Sequence, residues 1–409
     1  MTTDRQLLAS LRSGHWPTLI GAWLHFEISF MVWLLYGALG ALIGGELGLT
    51  ATEKGVLVAV PLLGGAFLRI PVGIWSDRWG PKRIGVALMV LEAVALLAGW
   101  LGARSYAELL LVGVLLGAAG ASFAMAIPLA THAYPDRARG LAMGIAASAN
   151  SGTVLAVLLA PRLAVQVGWH QVFGLMLLPV LVVTGLFVML VQDHRPLSDT
   201  GGPLQEFRSI FRQKSVYWLC LLYAVTFGGF VGLSSYLPLL FHDHYGLDLI
   251  TAGSLTAGCS LLGSLIRPVG GYVADRIGSG TVLQAVFLLV SAVVVLAAQS
   301  PPLASMAVVM LTLVGLLGFG NGVVFKMVSE RFAGCIGAAS GLIGAAGSIG
   351  GFFLPVLLGA CRDFTGSYRG GLLVFAVVSL AAGLSVTKMM SRQRASLGNM
   401  TLPERSVSR

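Results

Sequence analysis

Two arginines stand where a cation is costly. Arg69 lies in the stretch "GGAFLRIPVGIW" and Arg267 in "SLLGSLIRPVGGYV", both inside runs apolar enough to cross a bilayer. A guanidinium at the centre of a membrane helix costs about 2.5–3.5 kcal/mol on insertion scales, and it cannot shed its proton. No Asp or Glu lies at the same depth on either stretch. Two cations without counter-charge, each a planar fork of N–H donors, describe a site for an oxyanion. Arg69 alone could snorkel to water, because Asp77 follows eight residues later, about 12 Å along a helix. The second arginine makes that reading insufficient.

The pairing comes from an internal repeat. "LRIPVGIWSDR" (68–78) recurs as "IRPVGGYVADR" (266–276), so that Arg69, Gly73, Asp77 and Arg78 correspond to Arg267, Gly271, Asp275 and Arg276. The offset is 198 each time, close to half of the 409 residues, with Pro71 and Pro268 one place out of register. Two similar halves are characteristic of carriers built from parallel repeats, whose sites lie near the membrane midplane between the halves. Pseudo-symmetry then turns both guanidiniums toward one cavity.

The elements that must hold these residues are membrane helices. The chain is 56% hydrophobic and 11% charged, with 54 glycines; membrane helices use small residues to approach closely. Apolar runs of about 18 or more residues place twelve spans near 18–43, 53–75, 83–102, 107–130, 138–162, 170–193, 215–241, 251–274, 281–299, 303–326, 335–360 and 369–389. The fold class expected is all-α, with two pseudo-symmetric six-helix bundles at 1–194 and 215–409 joined by a cytoplasmic linker at 195–214. No cleavable signal pattern precedes the first span. With the N-terminus inside, 18 of the 26 Lys and Arg fall in cytoplasmic segments, five in outer segments and three within spans. That bias puts both termini in the cytoplasm, so the net charge of +9 is a topology signal and not a call for nucleic acid. Cys220, Cys259, Cys335 and Cys361 all fall in spans without metal-ligand spacing and read as packing residues. Neither a metal nor a cofactor is expected.

"GIWSDRWGPKR" (73–83) resembles the loop after the second helix in the major facilitator superfamily, and "PDRARGLAMG" (135–144) also fits that superfamily. Asp77, Arg78, Asp275 and Arg276 then read as a latch at the cytoplasmic ends, with Gly73 permitting close helix approach. Further stretches narrow the resemblance: "SFMVW" (29–33), "ASFAMA" (121–126), "LLYAVTFGGFVG" (221–232) and "GAAGSIGGFFLP" (344–355). With the two arginines they resemble the nitrate/nitrite porter family over nearly the whole chain. The eleventh span carries one family signature, including Gly347, Gly350 and Gly351; the fifth span carries the other as "GIAASANSGT" (144–153), where Ala and Ser replace several expected glycines. The resemblance implies that Arg69 and Arg267 clamp the anion, that Asn150 and Tyr223 donate further hydrogen bonds, and that Phe30, Phe123 and Phe227 enclose it. Tyr223 and Phe227, four apart, share a helix face.

The function expected is secondary transport of nitrate, nitrite or both across the cytoplasmic membrane by alternating access, with the protein acting as a monomer. Another small anion, a carboxylate or an organic phosphate, is the competing cargo. A sensor would need a soluble signalling domain, and an enzyme would need a nucleophile, a metal cluster or a carboxylate pair. Two fixed cations suit obligatory exchange, because an empty carrier is awkward to close. Proton symport instead needs a titratable group. Glu27, three residues before Phe30, is the first candidate, with His25, Glu92, His132 and Lys326 behind it. His25 points away from Phe30 by helical angle, and Lys326 reads as a snorkelling cation.

Overall fold

The computed structural model describes residues 14–192, 208–332 and 336–400. Residues 195–207 of the expected linker, Cys335 and both chain ends lie outside the described residues. Among the described residues, twelve helices are long and apolar enough to span a membrane: α1 (Trp16–Glu46), α2 (Ala51–Trp79), α3 (Pro81–Leu101), α4 (Tyr106–Ala130), α5 (Ala142–Val167), α6 (Trp169–Leu190), α7 (Lys214–Tyr245), α8 (Leu249–Ile277), α9 (Ser279–Ala297), α10 (Leu303–Arg331), α11 (Ala338–Thr365) and α12 (Arg369–Met390). Their order is the expected one, and several run a turn past the expected ends.

The repeat is written into the turns as well as the motif. Among the described residues six glycines have positive φ, and they fall into three pairs 198 residues apart: Gly48 and Gly246, Gly80 and Gly278, Gly168 and Gly366. A left-handed backbone is cheap only for glycine, so each pair fixes the same chain reversal in both halves. The starts of α2 and α8 match too. Thr50 caps α2 in a capping box with Glu53, and Asp248, 198 residues later, accepts from the amides of Ile250 and Thr251. These side chains satisfy orphan amides at the helix start.

Helical geometry breaks at three places. α1 is interrupted at Leu34, α5 passes through a 3₁₀ turn at Ala149–Ser151, and α8 breaks at Ile266. The last has a clear cause: Pro268 is the second residue of the segment Arg267–Ile277, and a proline lacks the N–H that would continue the ladder. Pro71, in contrast, sits within the continuous helix α2. The one-residue shift of proline between repeats therefore makes two different helices around the two arginines.

The halves meet along α1–α7, α2–α11 and α5–α8. Glycines set the approach. A Cβ added at Gly37 would lie 2.7 Å from the backbone of Ser235, and one at Gly55 would lie 2.5 Å from the Pro355 carbonyl. At the face bearing the α1–α2 turn, the halves are also pinned by polar contacts. Lys54 pairs with Asp243 at 2.8 Å. Asp363 on α11 accepts from the amides of Ala51 at 3.0 Å and Thr52 at 2.7 Å, capping α2 from the opposite half.

Candidate functional site

Among the described residues Arg69 is the largest buried charged side chain, 1% exposed. Its Nε donates to the Gly120 carbonyl of α4 at 2.9 Å, and Nη1 donates to the Gly344 carbonyl of α11. Nη2 has no protein partner among the described residues. The guanidinium carbon lies 5.1 Å from the ring centre of Trp33, 5.3 Å from that of Phe227 and 5.4 Å from that of Phe123. Arg267 stands 4.7 Å from the Phe230 ring and 5.8 Å from Phe227. Its Nε and Nη2 are buried without a partner among the described residues.

The two cations therefore share Phe227. Tyr223, one turn earlier on α7, stacks on that ring at 4.9 Å and 3°. Among the described residues neither arginine forms an ion pair. The ring faces supply part of what a carboxylate would, each cation–π contact being worth about 0.5–2 kcal/mol according to its desolvation. The unpartnered N–H groups remain unspent hydrogen-bond donors. Gly347 makes room for this: a Cβ there would lie 2.6 Å from the Tyr223 ring and 2.9 Å from that of Phe227. Gly350 and Gly351 lie against Ala224 and Val231, so the glycine run of α11 is a close-packing face toward α7.

Of the residues expected at the site, Arg69, Arg267, Tyr223, Phe227 and Phe123 are brought together. Phe30 is one layer behind, packed on Phe26 at 4.3 Å and Trp33 at 4.9 Å. Asn150 sits in the 3₁₀ turn of α5, and its Nδ2 donates to Ser264 Oγ at 3.1 Å, across the α5–α8 contact and three residues before Arg267. Its Oδ1 has no partner among the described residues. The carboxamide thus ties the two halves together beside the second arginine.

Glu27 is half-buried and accepts from Ser151 Oγ at 2.7 Å, on the α1–α5 contact. Gly73, Asp77 and Arg78 lie toward the end of α2, away from the arginine cluster; Arg78 stacks over Trp79 and Arg276 over Tyr272. Lys326 does not simply reach for the surface. It pairs with Asp275 at 2.7 Å and Glu330 at 3.2 Å, which joins the motif carboxylate of α8 to α10.

Sequence reasoning missed three rings. Trp33 and Phe230 lie inside stretches already singled out, but one helix turn from the named aromatics. Phe325 carried no signal at all, because its role depends on α10 crossing α4 and α7: its ring lies 5.6 Å from Phe123 and 5.2 Å from Tyr223.

Twelve described helices in two repeats, with a cationic centre between them whose arginines form no ion pair among the described residues, define a membrane carrier of the major facilitator fold. The sequence matches the Major Facilitator Superfamily over residues 22–355. The chain belongs to that superfamily, and within it to the nitrate/nitrite porter family. It is 31% identical to the "Nitrite extrusion protein" of Bacillus subtilis (strain 168), covering 91% of this chain and 93% of that protein. It is 34% identical to the "Probable nitrate/nitrite transporter NarK2" of Mycobacterium tuberculosis (strain ATCC 25618 / H37Rv), over 87% and 91%, and 32% identical to the "Probable nitrate/nitrite antiporter NarK1" of Thermus thermophilus, over 92% and 93%. The solved structure of a bacterial homologue of the human lysosomal transporter Spinster, inward-facing and occupied, superimposes with a TM-score of 0.68 at 18% identity, over 90% of this chain and 96% of that one. That likeness concerns the fold alone.

Proposed function

We propose that the protein is a secondary carrier of nitrate and nitrite, working by alternating access and not by catalysis. The observation that carries this reading is the pair Arg69 and Arg267 around one Phe227 ring, with unpartnered N–H donors and no acidic partner among the described residues. A small planar monoanion suits such a slot. Aromatic faces take the place of its weak hydration, and the donors meet its oxygens in the plane. Tyr223 adds a hydroxyl from the stacked face. Phe123 and Phe325 close the slot, and Phe30 supports it through Phe26 and Trp33. A larger organic phosphate would need more cations and more width than three enclosing rings leave.

The names of the relatives support the same cargo. The excess of Lys and Arg in the α2–α3, α4–α5 and α8–α9 turns supports a cytoplasmic position for that face and for both termini, in the inner membrane. One chain holds the whole site, so a monomer suffices. Closing the slot on two positive charges is eased by one bound anion. Purified protein in nitrite-loaded liposomes should take up labelled nitrate, with nitrite and not phosphate or formate competing. Flux that follows phosphate or formate instead would overturn the assignment.

A further inference from the structure

Ser29, the residue before Phe30, belongs to a buried polar chain that the anion site does not use. Its Oγ lies 2.8 Å from Glu92 Oε1 on α3 and 3.4 Å from His25 Nδ1 on α1. His25 Nε2 in turn lies 3.0 Å from the Gly85 carbonyl. All three side chains are fully buried, and Glu92 Oε2 has no partner among the described residues. Gly85 is the fifth residue of α3, close to the α2–α3 turn. Glu92 is seven residues deeper, about 10 Å along the helix. The chain therefore runs from near one membrane face to the middle of the span.

The hydrogens can be counted from the partners. A carbonyl only accepts, so Nε2 of His25 carries a hydrogen. If Ser29 donates to Glu92, the contact to Nδ1 needs a second hydrogen on the imidazole, giving an imidazolium and a carboxylate. If Nδ1 is bare, it accepts from Ser29, and Ser29 accepts from a protonated Glu92. Both arrangements hold the same number of protons and are neutral overall. Removing one proton leaves a carboxylate bonded to Ser29 and two lone pairs facing each other at Nδ1. The cluster thus holds one exchangeable proton, and its charge is zero with it and −1 without it.

Among the described residues neither titratable group forms an ion pair. From α6, Phe187 covers His25 at 4.8 Å, and Thr184 is bonded to Val180 and Met89. From α4, Met125 lies beside Gly85, and His132 is at the exposed helix end. On α2, Arg69 is committed to Gly120 and Gly344, while Asp77 and Arg78 sit at the helix end. On α1, Glu27 is bonded to Ser151 of α5 and His15 to Thr18; on α3, Lys82 and Arg83 lie in the first turn. At the far helix starts, Glu108 of α4 accepts from Arg104 and Ser105, and His170 of α6 faces the Ala103 carbonyl.

We propose that His25, Ser29 and Glu92 form a proton-binding site that couples anion import to proton entry; this rests on the anion reading of the arginine pair. Charge explains the coupling. With anion and proton both bound, the clamp, the anion and the cluster sum to +1. With neither bound, they again sum to +1. A proton without the anion gives +2, and an anion without the proton gives 0. The fully loaded and fully empty carriers therefore present the same charge during reorientation, which is the condition for symport. The shared helix α1, where Ser29 adjoins Phe30, joins the cluster to the wall of the anion slot.

Nitrate accumulation is measured in anion-free liposomes with the outside acid, beside nitrate counterflow without a gradient. The wild type should accumulate nitrate several-fold above the no-gradient level. In weakly buffered detergent, adding nitrate should draw protons from the medium at some pH between about 5 and 9. Glu92→Gln and Ser29→Ala should retain counterflow and lose both responses. Should Glu92→Gln fail to reconstitute, Ser29→Ala and the wild-type proton uptake still decide. The proposal is overturned if wild-type protein takes up no proton on nitrate binding across that range, if both variants keep gradient-driven accumulation, or if Glu27→Gln abolishes the gradient response while Glu92→Gln does not. A wild type without nitrate counterflow would refute the anion reading itself, a separate result.

Discussion

Arg69→Lys is the sharpest test of the anion slot. The charge survives the substitution and the fork does not. In the protein, Nε is spent on Gly120, Nη1 on Gly344, and Nη2 is left for an anion. One ammonium at the end of a flexible chain cannot serve all three directions. If it keeps the carbonyls, the anion loses a donor; if it turns to the anion, buried carbonyls of α4 and α11 lose theirs. Either loss is of one hydrogen bond to a charged group, worth about 1.5–3 kcal/mol. At about 1.4 kcal/mol per tenfold, nitrate affinity and low-concentration counterflow should fall by about 10- to 150-fold. The assay is nitrate counterflow in liposomes at matched reconstitution, with thermal melting in detergent as a check on folding. A folded Lys variant with counterflow within about threefold of wild type would refute the geometric argument and leave only charge.

Two further outcomes follow from contacts away from the slot. Asp363→Ala removes the carboxylate that holds the start of α2 from α11; because this staple is exposed, its worth is modest, on the order of 1 kcal/mol, and the carrier should open more often at that face. In a Leu62→Cys background, whose site is buried against Gly351, thiol labelling should speed up several-fold, and an unchanged rate would show that the staple does not hold the face shut. Gly228→Val would drive a side chain into α11, where even a Cβ lies 2.8 Å from Gly350; such overpacking costs typically about 1–3 kcal/mol, so the melting temperature should drop, and a wild-type melt would mean the α7–α11 contact is looser than described.

The number of spans, their order and the repeat followed from the sequence, because bilayer thickness sets a length of apolar chain and a duplicated motif keeps its spacing. The same arithmetic pairs Arg69 with Arg267. Asn150, Tyr223 and the phenylalanines were legible only through family resemblance, since an aromatic residue in a membrane helix has no local mark of what it faces. Tertiary structure decided the rest. Helix rotation put Phe30 behind Trp33, gave Lys326 to Asp275, and brought Phe325 against Phe123 and Tyr223 from a stretch with no motif. It also placed Glu92 against Ser29 and His25, sixty-odd residues away in the chain. Periodicity and composition fix what crosses the membrane; which buried polar groups meet depends on how twelve helices are rotated and shifted against one another, and glycine contacts too local to leave a pattern in the sequence set those rotations.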